Sequence, residues 1–165
     1  MLESFCTWLE STSLSATIQN TGWIIPVGQI IHILCLSIVL SSVVLLDFRI
    51  MGLAALRVPI PDMARRFLPW MWSALALMVI TGSILIIGEP RRDLLNPAFW
   101  TKMLLLLTAA AITLLFQLSV RRKAHLWTGS GKGRTFIRIV AAIALTAWIG
   151  VAACGRLIAY FMVAG

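Results

Sequence analysis

The chain has 165 residues, of which 60% are hydrophobic and 12% charged, and a formal charge of +8. A water-soluble domain carries charge on about a quarter of its residues, so much of this surface must face lipid and an ordinary soluble fold is excluded. The fourteen Lys and Arg lie mostly between apolar runs, where positive residues set membrane orientation, and no nucleic-acid partner is expected.

Residues 1–21 are too polar to span a membrane. Phe5, Trp8, Leu9, Leu14 and Ile18 recur at roughly helical spacing with Ser and Thr between them, the pattern of a short helix lying in the membrane interface. Acidic Glu3 and Glu10 stand where a signal peptide needs positive charge, so no cleavable signal is expected. The first span is expected at 23–46, with His32 inside it, closing on Asp47, Phe48 and Arg49. Asp47 and Arg49 are expected to fix that end by local pairing, with Arg49 also touching anionic lipid. A polar loop with Arg57, Pro59, Pro61, Asp62, Arg65 and Arg66 precedes a second span at 68–88, where Pro69 suits a first helical turn. Glu89 to Asp93 form a short loop, and Asn96-Pro97 starts the third span, 98–120. The longest basic loop runs from Arg121 to Arg138. Its Gly129-Ser130-Gly131-Lys132-Gly133 lacks the spacing of a phosphate loop and reads as a turn. The fourth span is expected at 139–163. A span takes about 20 apolar residues, so these four leave no room for a separate soluble domain. The fold class is an all-α integral membrane protein, a four-transmembrane-helix bundle in one domain, 1–165, with a short N-terminal interfacial helix.

Orientation follows from the distribution of positive charge. The first and third connections hold four and six Lys/Arg, the second holds two, and the N-terminal segment none. The positive-inside rule then puts the first and third connections in the cytoplasm and both termini outside, in a bacterial inner membrane.

Depth is the useful coordinate for the polar residues. Counted from the outer ends of the spans, His32, Met78 and Cys154 lie nine or ten residues deep, Arg156 seven and Lys102 four, and each residue adds about 1.5 Å. The outer half of the bundle thus collects side chains from all four spans. Ionisable residues cost about 2.5–3.5 kcal/mol at the centre of a span and are usually kept for a site. The bland alternatives are snorkelling of Lys102 and Arg156 to headgroups and an interhelical hydrogen bond for His32. Gln29 lies one turn from His32 on the same face, placed either to orient the imidazole or to make a structural contact.

Three chemistries suit this set. Haem b would take His32 as an axial ligand, with Arg156 and Lys102 neutralising its propionates nearer the surface. The other histidine, His125, lies in the basic loop, so a bis-histidine haem within one chain is excluded; Met78, an open position or another subunit would complete the iron. Copper(I) favours soft ligands, and His32, Cys35, Cys154 and Met78 offer them, although Cys and Met are also ordinary packing residues in apolar helices. A quinone or lipid headgroup would take a hydrogen bond from His32 and positive potential from Arg156. Cys6, Cys35 and Cys154 form no CxxC pair and no disulfide framework is expected. No carboxylate stands beside His32 at its depth, which argues against a hydrolase.

Trp23 to Pro26 followed by His32, Asp47-Phe48-Arg49 with Gly52, Phe99-Trp100-Thr101-Lys102, and Gly155-Arg156 near Tyr160 occur in an order that resembles an uncharacterised family of bacterial four-helix membrane proteins, a domain of unknown function. That family is in turn similar to the membrane domains of copper-resistance protein D and of b-type cytochromes. The resemblance covers about residues 8–162 and implies an inner-membrane bundle with His32, Lys102 and Arg156 as positions of interest. The expected function is a non-catalytic membrane subunit for electron transfer, holding haem b or quinone in its outer half. A structural subunit of a larger complex and a copper(I)-handling protein are the alternatives. Small residues Gly82, Ser83, Ala109, Ala110 and Ala111 offer close-packing faces, so the expected partners are lipid together with other membrane or periplasmic redox subunits, or further copies of this chain.

Overall fold

The computed structural model describes residues 1–55, 57–122 and 133–160. In chain order the helices are α1 (Leu2–Glu10), α2 (Ser13–Asn20), α3 (Ile24–Met51), α4 (Ile60–Gly88), α5 (Pro90–Leu94), α6 (Pro97–Arg122) and α7 (Gly133–Tyr160), and no strand occurs among the described residues. Four of them, α3, α4, α6 and α7, are long and apolar enough to cross a membrane. The expected four-helix membrane bundle is therefore what forms.

The packing is antiparallel throughout. Where α3 meets α4, Gly28 faces Leu85 and His32 faces Gly82; where α6 meets α7, Leu105 faces Gly150 and Lys102 faces Gly155. Trp72 of α4 bonds Gln117 of α6, and Arg138 of α7 lies over Gly52 at the end of α3. The four long helices thus run up and down in a ring, tightest between α3 and α4 and between α6 and α7. Cys35, Val39, Val43 and Leu46 on α3, and Leu68, Met71, Leu75 and Met78 on α4, recur every three or four residues and turn one stripe of each helix inward. Lipid then covers the remainder: Leu107 on α6 is 70% exposed, which water would penalise and a bilayer does not. Two indoles reach into this core and find partners, Trp148 Nε1 on Thr113 Oγ1 at 3.3 Å and Trp72 Nε1 on Gln117 Oε1 at 2.7 Å.

Helix boundaries run past the apolar runs, because backbone hydrogen bonding continues into the polar zone after hydropathy falls. α3 carries on through Asp47 and Arg49 to Met51. It stops at Gly52, whose φ of 82° is left-handed, with Leu53 N–H donating to Phe48 O at 2.8 Å and Gly52 N–H to Arg49 O at 3.2 Å. The expected pairing of Asp47 with Arg49 does not form. Arg49 Nε donates to the Val58 carbonyl instead, and Asp47 Oδ2 has no hydrogen-bond partner. α4 begins at Ile60, well ahead of the expected start; the proline in its first turn is Pro61, and Pro69 sits inside the helix. An interior proline deletes one backbone bond, which a helix embedded among neighbours tolerates. α7 likewise starts at Gly133 rather than 139.

The short N-terminal helix is present as two pieces, and it is docked against the bundle. Thr12 breaks it, accepting the Ser15 N–H at 3.3 Å to start α2. Ser15 Oγ then donates to Ile87 O at 2.8 Å and Gln19 Nε2 to Gly88 O at 3.0 Å, so α2 satisfies carbonyls that the C-terminus of α4 leaves open. A Cβ on Gly88 would lie 2.9 Å from Ile18; only glycine lets α2 approach this closely. Cys6 is fully buried with Sγ 3.8 Å from Pro90 O, and Arg91 pairs with Glu10 at 3.1 Å. α1, α2 and α5 form a cap over one end of the bundle. The first connection and the facing ends of α6 and α7 lie at the other.

Candidate functional site

In the half of the bundle nearest the cap, α3 turns His32 toward α4. Its imidazole Nδ1 lies 3.0 Å from Thr81 Oγ1. The Thr81 hydroxyl has a single proton, which it gives to the helix carbonyls of Leu77 (3.0 Å) and Met78 (3.2 Å). When that proton is given to either carbonyl, Thr81 Oγ1 accepts from Nδ1–H. In that tautomer Nε2 carries the lone pair, as a metal ligand or proton acceptor must. Gly82 makes the approach possible, since a Cβ there would come within 3.3 Å of His32 Cε1. Met78, Thr81 and Gly82 occupy one face of α4 and form one wall of the site.

Sequence spacing offered Gln29 as the group that orients His32. Gln29 is half-buried one turn away, but Thr81 holds the imidazole. The signal for Thr81 was weak, because a threonine in a long apolar helix commonly bonds its own backbone, as this one also does. Its second role depends on the register between α3 and α4, which neither helix encodes alone.

Lys102 is half-buried where α6 crosses α7. A Cβ on Gly155 would lie 3.9 Å from both its Cε and its Nζ. It is within electrostatic range of His32, Asp93 and Cys154. Lys102 and His32 are thus drawn into one electrostatic neighbourhood from different helices. Arg156, one residue beyond Gly155, is on the exposed side of α7 and is engaged there. Cys35 is packed in the core of α3, and Cys154 is half-buried on α7. Among the described residues no group of three or more His, Cys, Asp and Glu is arranged to hold a metal ion; the structure does not gather His32, Cys35 and Cys154 into one ligand set. His125 lies outside the described residues.

Above this level the polar residues thicken. Asp93 of α5 is pushed above the usual carboxylate range by burial, against the pull of Arg92 and Lys102. Arg92 pairs with Glu89. Asn96 Oδ1 accepts the Ala98 N–H at 2.9 Å and opens α6. A cavity of about 450 Å³ lies under the cap, lined by Glu10, Gln19, Ile25, Gly88, Glu89, Arg91 and Arg92. A second, of about 280 Å³, is in the opposite half between α3, α6 and α7, around Asp47. His32 lines neither. Sequence reasoning missed both cavities, since each is made by residues far apart in the chain, although Glu10, Arg91 and Asp47 were individually conspicuous as charges.

No curated protein and no solved structure matches the chain. Residues 5–161 match the model of a family described as a family of unknown function (DUF6644). That match runs from α1 to just past α7, covering the cap and all four long helices, and the chain belongs to this family.

Proposed function

We propose that this protein is a non-catalytic membrane subunit of an electron-transfer system, and that His32 and Lys102 bind the headgroup of a quinone in the half of the bundle nearest the cap. The observation that carries this reading is the 3.0 Å contact of His32 Nδ1 with Thr81 Oγ1. With Nδ1–H given to Thr81, Nε2 carries the lone pair and accepts a proton or hydrogen bond, while the Lys102 ammonium donates to a carbonyl oxygen. An acceptor and a donor within one electrostatic neighbourhood suit a group that alternates between hydroxyl and carbonyl. Arg156 supplies positive potential nearer the surface. The basic connections support a bacterial inner-membrane location with both termini outside, so the site faces a periplasmic or membrane-bound redox partner.

Haem b is the second reading, favoured by the same hydrogen bond, because ligating histidines commonly donate their other N–H to a fixed acceptor. Neither cavity, of about 280 or 450 Å³, is lined by His32, and a quinone headgroup needs less space beside it than a haem. A copper(I) site would need ligands beyond the His32, Cys35 and Cys154 trio.

The test is the stoichiometry of quinone, haem and copper in protein purified from mildly extracted membranes. Quinone is expected in the wild type, reduced severalfold or more by His32→Ala and by Arg156→Ala and retained by His125→Ala. A wild type free of all three groups ends the redox reading and leaves a structural subunit binding lipid or neighbouring chains. A Soret band lost with His32→Ala selects haem instead.

A further inference from the structure

The cavity of about 280 Å³ around Asp47 is far from His32 along the bundle and takes no part in the proposed redox site. It lies between α3, α6 and α7. Its walls are almost wholly apolar, with Ile112 and Leu115 of α6 and Phe136 and Ala144 of α7 among them. Two of these, Leu115 at 67% and Phe136 at 70%, are also strongly exposed on the outer surface. The mouth therefore opens sideways, toward lipid, and a ligand would enter from the bilayer.

Among the described residues one charged group lines this space. Asp47 is 6% exposed, and its Oδ2 atom has no hydrogen-bond partner. Arg49, two residues on, donates to the Val58 carbonyl, and Arg138 of α7 reaches over Gly52 at the end of α3. Thr113 also lines the cavity, but its hydroxyl is spent on the Ala109 carbonyl and on Trp148. A carboxylate removed from water and left without a counter-charge is costly unless something pairs with it. An unanswered acceptor at the wall of an apolar chamber is a design for a ligand that carries its own positive charge on an apolar body. The chamber has about the volume at which small-ligand pockets begin, roughly 300 Å³, which limits that body to one ring with a short chain.

We infer that the cavity beside Asp47 binds a small lipid-soluble organic ammonium ion, with the Asp47 carboxylate as its counter-ion. The ammonium donates to the unpartnered Oδ2, and the apolar part fills the space between α6 and α7. Desolvated ion pairs of this kind are strong because the low dielectric that makes a lone charge costly also strengthens its pairing. Ser119, half-buried on α6, lines the same wall, so a larger side chain there would occupy the ligand's place without touching the carboxylate.

The test uses the full chain in lipid nanodiscs, titrated with 4-phenylbutylammonium, with its neutral counterpart 4-phenylbutanol and with empty nanodiscs as the partition baseline. The expected result is saturable binding of the ammonium at one per chain, with the alcohol at least tenfold weaker. Asp47→Asn, which keeps the shape and removes the charge, should weaken the ammonium at least tenfold. Ser119→Leu should do the same by filling the cavity, and it carries the prediction if the Asn variant fails to show a cooperative thermal transition. The inference is overturned if the folded wild type binds no ammonium above the baseline. It is equally overturned if the alcohol binds as well as the ammonium, which would mark a site for neutral hydroxyl compounds, or if folded Asp47→Asn or Ser119→Leu binds like the wild type.

Discussion

His32 and Thr81 show how a residue acquires a role that its own helix does not specify. Replacing Thr81 by Val keeps the shape and removes the hydroxyl partner of Nδ1. Loss of one partner of a buried polar group costs about 1–3 kcal/mol, and loss of an orienting hydrogen bond behind a binding histidine costs about 10–100-fold in affinity at metal sites. Thr81→Val is therefore expected to lower bound quinone about tenfold while the protein stays inserted, read by cofactor extraction and denaturation together; unchanged occupancy would detach Thr81 from the site. Gly82→Ala should act similarly by pressing on Cε1 from 3.3 Å. Asp93 offers a pH test. Burial raises its pKa in the folded protein, so its contribution to stability is present below the ordinary carboxylate pKa and is lost as pH rises through the folded value. Asp93→Asn should melt higher than wild type at neutral pH, with the gap closing in acid, as thermal unfolding across pH would reveal. A gap that stays constant with pH would deny Asp93 that titration. Sequence spacing identified His32, Lys102 and Arg156 because charges in apolar runs are visible without a fold. Thr81 was not legible, since threonine there looks like any other helix-facing hydroxyl, and Asp47 was misassigned to Arg49 because proximity in the chain suggested a pair that helical geometry turns apart.

At the level of elements, hydropathy located all four long helices but displaced their ends. The start of α4 is set by Pro59 and Pro61, and Pro69 misled by resembling a first-turn proline. For α1 and α2 the helical spacing of apolar residues was legible. What they cover was not, because Ser15, Gln19 and Ile18 meet residues 87 and 88, more than sixty positions away. The cap gives an energetic ordering. Gly88→Val would drive Ile18 off α4 and should raise amide exchange across residues 13–20, at a cost of about 1–3 kcal/mol. Arg91→Ala removes an exposed ion pair with Glu10 and should cost no more than about 1 kcal/mol. If the two variants exchange alike, docking of α2 does not depend on close approach at Gly88.

For the whole molecule, the distribution of positive charge makes the topology testable: a reporter fused at Gly165 should report the outer side and one near Gly131 the cytoplasm. An opposite result would invert the bundle and put the His32 site in the cytoplasmic half. The small residues first read as an association face divide between two uses. Gly82 and Ala109 are spent inside the bundle against its own helices, whereas Ser83 and Ala111 remain on the outside. Any contact with another copy or another subunit is then expected along those outer positions of α4 and α6, and Ser83→Leu or Ala111→Leu should dissociate it in native mass spectrometry while leaving the monomer folded.

The docking of α2 on the end of α4 also sets an order of events during synthesis. Ser15 and the Ile87 carbonyl that receives its hydroxyl are separated by 72 positions in the chain. At about 5–20 residues per second, Ser15 is synthesised some 4–14 s before its acceptor exists. Phe5 and Trp8, half or more exposed even in the finished fold, suit the membrane interface throughout that interval. The cap is thus begun before the span it covers and closed only once the second span has been delivered.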